Sequence, residues 1–340
     1  MKKIIALALV ISLVTMFMFG ICSSSAAEKT FTLKLAGIKN DTDPASMAME
    51  LFAEKVNKDS NGTIVVNTYT NSVLGNLNDL LSGMIDGTVD MLYNTLSCYS
   101  WLSDLRWLNI TSAPFLWKDN KELQSFIDSP EVQRRFEEGS TSSGVRLLIA
   151  NGELVPRQLS ANRAIKNADD FKGLKIRTAE APIVQAIMKK LGAVPVVIPF
   201  ADLYMSLKTG VADAQENNFF TMKSSSFYEV QTHFMKTDYI RDVGAIFISD
   251  KIWNQMSDNQ KKIMKDAAKE ATDLEAKIIA DSVGEVMAFL SSKMTYVDID
   301  VASIQAKLGS DIYQEFDKEG KIWPTGTLDI VLEFKENYKD

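Results

Sequence analysis

The sequence predicts an α/β protein of two lobes. Three observations predict it: a βαβαβ unit between Asp169 and Asn217, the same alternation of strand and helix from Phe31 to Asn94, and a chain of 340 residues with no internal repeat or low-complexity linker to divide it. A chain of that length has room for two domains. Two lobes joined by crossing strands rather than by a flexible tether would leave this pattern.

Phe31–Leu35 reads as the first strand, Ala45–Val56 as a helix, and Thr63–Tyr69 as a second strand after the Asn61-Gly62 turn. Leu77–Asp86 is then helical and Met91–Asn94 extended. Further on, Leu174 and Ile176 alternate with Lys175 and Arg177 in a strand, and the apolar positions from Ile183 to Leu191 recur at helical spacing until Gly192 stops them. Pro195–Ile198 reads as a buried strand. Phe200, Leu203, Tyr204 and Leu207 make a helical stripe closed by Gly210, and Ala212–Asn217 is short enough for a third strand. Ser257 and Gln260 form a capping box before an apolar stripe from Ile263 to Leu290 that meets no proline or strong stop until about Lys293. At about 1.5 Å per residue this helix is on the order of 50 Å long, enough to span both lobes. A helical hairpin broken at Gly284 is the plainer alternative.

The amino terminus reads as an export signal over residues 1–27. Lys2 and Lys3 precede an apolar run from Ile4 to Ile21, and Ser25-Ala26-Ala27 supplies the small residues of a cleavage site. That places the mature protein in the periplasm. Bulky Phe19 and Ile21 sit where a lipid-anchor motif at Cys22 wants small residues, which argues against an anchor there. Removing Lys2 and Lys3 with the signal takes the formal charge from −7 to −9, which argues against a nucleic-acid partner. Only Cys98 then remains, so no intrachain disulfide forms, and Cys98 reads as a small buried hydrophobe.

Chemical groups of the kind enzymes use are scarce. The chain has one histidine, His233, in surroundings that look structural, and no metal-ligand spacing, nucleophile elbow or phosphate-cradling loop. No metal, no cofactor and no enzymatic activity are expected, although paired carboxylates leave no local signature. One arginine is better placed. Arg177 ends a strand where open α/β sheets bind ligands, and its planar fork of donors fits a carboxylate. Most arginines, however, are merely solvated or paired on the surface.

The motifs taken together change that weighting. Phe171-Lys172-Gly173-Leu174-Lys175-Ile176-Arg177, Pro199-Phe200-Ala201-Asp202-Leu203-Tyr204 and Leu207-Lys208-Thr209-Gly210-Val211-Ala212-Asp213-Ala214-Gln215-Glu216-Asn217 occur in that order. With Ser60-Asn61-Gly62, Leu74-Gly75, Gly87-Thr88-Val89-Asp90-Met91 and Ala113-Pro114-Phe115-Leu116, they resemble the solute-binding proteins of tripartite ATP-independent periplasmic (TRAP) transporters over nearly the whole mature chain. The resemblance implies a type II-like periplasmic binding protein with a hinge and a central ligand cleft, one lobe from 28–154 plus 243–282 and the other from 155–242 plus 283–340. It implies capture of a small carboxylate, delivery to the membrane permease subunits, and action as a monomer. Arg177 would make the two-point carboxylate contact, Asn217 would give a second donor, Arg157 would be the other cleft arginine, and Phe200 an apolar wall. Asn40 and the segment Tyr93-Asn94-Thr95 would reach in from the first lobe. Each has a plainer reading: Asn217 as a turn cap, Arg157 paired with a surface acid, Tyr93 in the core.

The chain also departs from the family pattern. Asn218 replaces the usual proline, no acid follows Leu74-Gly75 closely, and Asp238-Tyr239 stands where many relatives carry Asn-His. Asp238 is therefore expected to accept hydroxyl groups, which would suit a sugar acid such as a uronate or aldonate. A C4-dicarboxylate and a 2-oxo acid also satisfy Arg177 and Asn217. A sensory protein presenting the acid to a receptor would use the same cleft.

Overall fold

The computed structural model describes residues 28–153 and 156–339. The expected signal peptide, with Cys22, and Val155 lie outside the described residues. From Phe31 onward the chain forms one compact unit built on two sheets. Its strands are β1 (Phe31–Ala36), β2 (Ile64–Tyr69), β3 (Met91–Thr95), β4 (Val145–Glu153), β5 (Gln158–Ala161), β6 (Lys175–Thr178), β7 (Val194–Val197), β8 (Ala214–Asn217), β9 (His233–Met235), β10 (Val243–Ser249) and β11 (Thr295–Val297).

The first sheet has the order β2-β1-β3-β10-β4, parallel from β2 to β3 and antiparallel where β10 enters. The second has the order β11-β9-β5-β8-β6-β7, with β6 parallel to β7 and β8 and with β5 antiparallel to β8 and β9. Each sheet thus combines parallel strands, whose crossovers are helical, with antiparallel strands returned from elsewhere in the chain. The chain passes from the first sheet to the second between β4 and β5 and returns between β9 and β10.

The third passage is the long helix, Asp258–Lys293, of 36 residues and about 54 Å. The Ser257–Gln260 capping box fixes its start. Met264, Ala267, Ala268 and Ala271 pack in the core of the first sheet with Phe52, Val56 and Ile246. Ile279, Val286 and Leu290 pack with Phe219 and Phe234 in that of the second. The helix does not break at Gly284, where a Cβ would meet open space. Its span over both sheets makes the protein two-lobed, as the sequence predicts. The last helix, Thr327–Asn337, returns to the first lobe's segments, where Phe334 packs edge-on against Phe126 and Lys335 lies over Trp117.

Elsewhere the differences are local. Asp43, an N-cap that accepts from the Ala45 N–H, starts the first helix at Pro44, and the helix runs on to Asp59. Phe200–Asp202 is a 3-10 turn leading into a shorter helix, Leu203–Lys208. His233 lies in β9 with its Nδ1 2.8 Å from the Thr232 hydroxyl, in a structural setting.

Candidate functional site

The parallel strands β6 and β8 of the second sheet end at Thr178 and Asn217, and β5 begins beside the end of β8, so that three of the expected residues lie near one another. Arg177 is 3 % exposed near the end of β6. Its Nε donates to the Ile198 carbonyl at 2.9 Å, and no carboxylate among the described residues lies in salt-bridge contact with it. Burial lowers its pKa from 12.5 to about 10 and outweighs the attraction of Glu216. A cavity of about 310 Å³ opens beside it, walled by Phe200, Ile38, Trp101 and Glu180.

Arg157 is placed differently. Its guanidinium grips Glu216 through Nε and, at 2.7 Å, through Nη2, and also reaches the Glu216 carbonyl at 2.8 Å. Glu216 is 1 % exposed and also accepts from the Tyr239 hydroxyl at 2.7 Å. Arg157 therefore pairs with a buried acid rather than a surface one, and that pairing holds its pKa above the ordinary range despite desolvation. Glu216 carries no role in the sequence, because a strand-end acid inside a motif gives no signal of its partner.

Asn217 is buried at the end of β8. One of its amide hydrogens goes to Gln215 Oε1 at 2.7 Å, and its carbonyl oxygen lies 3.5 Å from Arg157 Nη2. Phe200 lies under two cations, with Lys39 Nζ 4.3 Å and the Arg177 guanidinium carbon 6.0 Å from its ring centre. Lys39, in the loop after β1, escaped the sequence reading, which chose its neighbour. Desolvation lowers its pKa to about 8 against the attraction of Asp43, and it donates to Thr221 Oγ1 at 3.1 Å.

The first-lobe residues divide. Tyr93, Asn94 and Thr95 line a cavity of about 40 Å³ together with Lys39, Asp43, Arg157, Asn217 and Glu275. Tyr93 is both core and lining: it is 4 % exposed and donates its hydroxyl to Glu275. Asn40 does not line the cavities. Its amide donates to the Ser224 carbonyl at 2.6 Å, so it bridges the lobes. Asp43 adds to that bridge by accepting from Thr221 Oγ1 at 3.2 Å and Ser224 Oγ at 3.1 Å.

Asp238 is placed apart from the arginines. It accepts from Gln158 Nε2 at 2.6 Å, pairs with Lys236 at 3.4 Å, and lines a separate hollow with Pro156, Met287 and Val283 of the long helix rather than the cavities of the arginines. Its φ of 46° is positive, in the segment where the chain returns to the first sheet. Cys98 is half-buried rather than buried and shares a third cavity with Arg157, Glu216 and Asp242, where desolvation pushes its thiol up to about 11.

Fold and site together define a two-lobed binding protein with a cationic cleft. The sequence profile of the bacterial extracellular solute-binding proteins, family 7, matches residues 35–319, and the chain belongs to that family. A solute-binding protein of Roseobacter denitrificans is 29 % identical over 287 residues, covering 84 % of this chain and 87 % of its own. The crystal structure of that TRAP periplasmic solute-binding protein, with bound L-galactonate, superimposes with a TM-score of 0.81 at 26 % identity, over 91 % of this chain and 100 % of the other. The 2,3-diketo-L-gulonate-binding periplasmic protein YiaO of Escherichia coli is 27 % identical over 300 residues, covering 87 % and 89 % of the two chains.

Proposed function

We propose that the protein captures a small organic acid by an arginine–carboxylate clamp and hands it to the membrane permease of a TRAP transporter. One observation carries the reading. Of the two cleft arginines, Arg157 is already matched by Glu216, whereas Arg177 is buried, spends one donor on a backbone carbonyl, and faces a cavity with no acid in salt-bridge contact. A ligand carboxylate supplies the missing anion. The terminal nitrogens of Arg177 take it with two parallel bonds, the free amide hydrogen of Asn217 adds a third, and Phe200 walls the site.

The relatives support a sugar acid, since one was crystallised with L-galactonate and another is named for 2,3-diketo-L-gulonate. A C4-dicarboxylate is the other class the clamp admits. The two lobes swing about the crossings, with Thr327–Asn337 carried on the first, and closure excludes water, which strengthens the charged bonds. The closed monomer then fits the permease in a way the open one does not. The work is binding and release in the periplasm after cleavage of residues 1–27, with no chemical turnover.

The test is a thermal-shift screen of mature protein, unfolded and refolded to strip bound ligand, against small organic acids. A ligand at a hundred times its dissociation constant should add about 2.7 kcal/mol. If no acid shifts the melt, the organic-acid reading fails.

A further inference from the structure

We propose that Glu275, with Tyr93 and the amide of Asn94, reads hydroxyl groups at the end of the ligand remote from its carboxylate, and so selects polyhydroxylated monocarboxylates over unsubstituted dicarboxylates. This rests on the organic-acid reading above and names the substrate class within it.

Glu275 stands midway along the helix that joins the lobes, 1 % exposed, at a point where the helix leaves one core and enters the other. It accepts a hydrogen bond from the Tyr93 hydroxyl. Gly244 on β10 makes the pairing fit: a Cβ there would collide with the Tyr93 hydroxyl and stand 3.1 Å from Glu275 Oε2. Beside them, Asn94 Nδ2 is buried and has no hydrogen-bond partner, while its Oδ1 accepts from the Thr95 N–H at 2.8 Å. These groups line the same 40 Å³ cavity as Arg157 and Asn217, so the pocket adjoins the carboxylate site.

A buried carboxyl with lone pairs to spare and an unpartnered amide donor make a poor structural network, because a half-satisfied one costs stability. They make a good receptor for hydroxyls, each of which donates once and accepts up to twice. The volume admits the equivalent of a few water oxygens, the size of one or two carbinol groups. A second carboxylate entering the pocket would meet Asp43 and would have no cation to spare there. Lys39, the cation nearest at hand, already donates to Thr221 and lies over Phe200. A chain without hydroxyls would leave the Asn94 amide unpaired, and sites built around a buried hydroxyl partner discriminate strongly against ligands that lack it.

The experiment is calorimetry of the mature protein with D-gluconate, L-galactonate and succinate, on wild type, Glu275→Leu and Glu275→Gln. An aldonate should bind wild type at least about tenfold more tightly than succinate. Glu275→Leu should lose about tenfold or more for that aldonate and leave succinate within about twofold, whereas Glu275→Gln, which keeps donor and acceptor, should stay within about fivefold. Succinate binding more tightly than both aldonates, or Glu275→Leu weakening both classes alike, overturns the proposal. Should Glu275→Leu fail to fold, as judged by its near-ultraviolet circular dichroism, Asn94→Ala carries the same comparison. The organic-acid reading fails separately, by all three acids leaving wild type unbound or by Arg177→Leu leaving them bound.

Discussion

Replacing Arg177 with leucine should move stability and affinity in opposite directions. In the ligand-free protein the guanidinium is held in a buried site with no salt-bridge partner, and its pKa falls from 12.5 to about 10. At about 1.36 kcal/mol for each pH unit, keeping that charge in place costs the fold on the order of 3 kcal/mol. Leucine removes the cost but orphans the Ile198 carbonyl, which returns about 1 kcal/mol of it. The net gain of about 2 kcal/mol should raise the melting temperature of stripped protein by a few degrees. Affinity should meanwhile fall by about 2–5 kcal/mol, roughly thirtyfold to several thousandfold, because the ligand carboxylate loses its charged partner. Urea denaturation of both ligand-free proteins measures the first quantity and calorimetry with a bound acid the second. A ligand-free variant less stable than wild type by 2 kcal/mol or more would show that Arg177 braces Ile198 as a structural residue, and the clamp argument would collapse.

Two further outcomes follow from the same charges. Glu216→Gln should destabilise by about 3–5 kcal/mol, since it leaves the largely buried Arg157 without its counter-ion; a loss under 1 kcal/mol in urea denaturation would mean Asp242 suffices to balance that arginine. Affinity for an acid should fall as pH rises from 7 to 9, because Lys39, lowered to about 8, loses its positive charge over that range while Glu275, raised to about 8, gains a negative one. The two groups act oppositely on stability. Glu275 contributes stability that is present below its ordinary 4.5 and is lost as pH rises through 8, and Lys39 contributes stability present above 10.5 and lost as pH falls through 8. Calorimetry across the range checks the binding trend, and a flat affinity would remove both groups from the ligand's surroundings.

The elements legible in the sequence were those whose periodicity is local. The βαβαβ unit ending at Asn217 and the long helix could be read because alternation, glycine stops and a capping box all lie within a few residues of one another. β10 went unread, although Val243–Ser249 is buried along its whole length, because an apolar run without alternation suits a buried helix equally well. Its place between β3 and β4, antiparallel to both, depends on pairing across about 150 residues to β3. Arg177 was legible as the one arginine closing a predicted strand. The partner of Asp238 could not be read from its residue type, because its hydrogen bond with Gln158 joins positions 80 residues apart in the chain.

What sequence could not show is which charges cancel. Arg157 and Arg177 look alike in the chain, each at the end or edge of a strand, and Glu216 is one letter among three in Gln-Glu-Asn. Only the antiparallel register of β5 on β8, which sets Gln158 opposite Asn217 and Leu159 opposite Glu216, brings the acid to Arg157 and leaves Arg177, on β6, beyond its reach. The same register gives the cleft its asymmetry. One arginine is tied into the fold by its own counter-ion, while the other has no acid in salt-bridge contact among the described residues, and on the proposed reading the ligand's carboxylate is the anion that completes it. On that reading the asymmetry is favourable, because a second open arginine would add another buried, uncompensated charge to the unliganded protein, and two paired ones would leave nothing for the acid to complete.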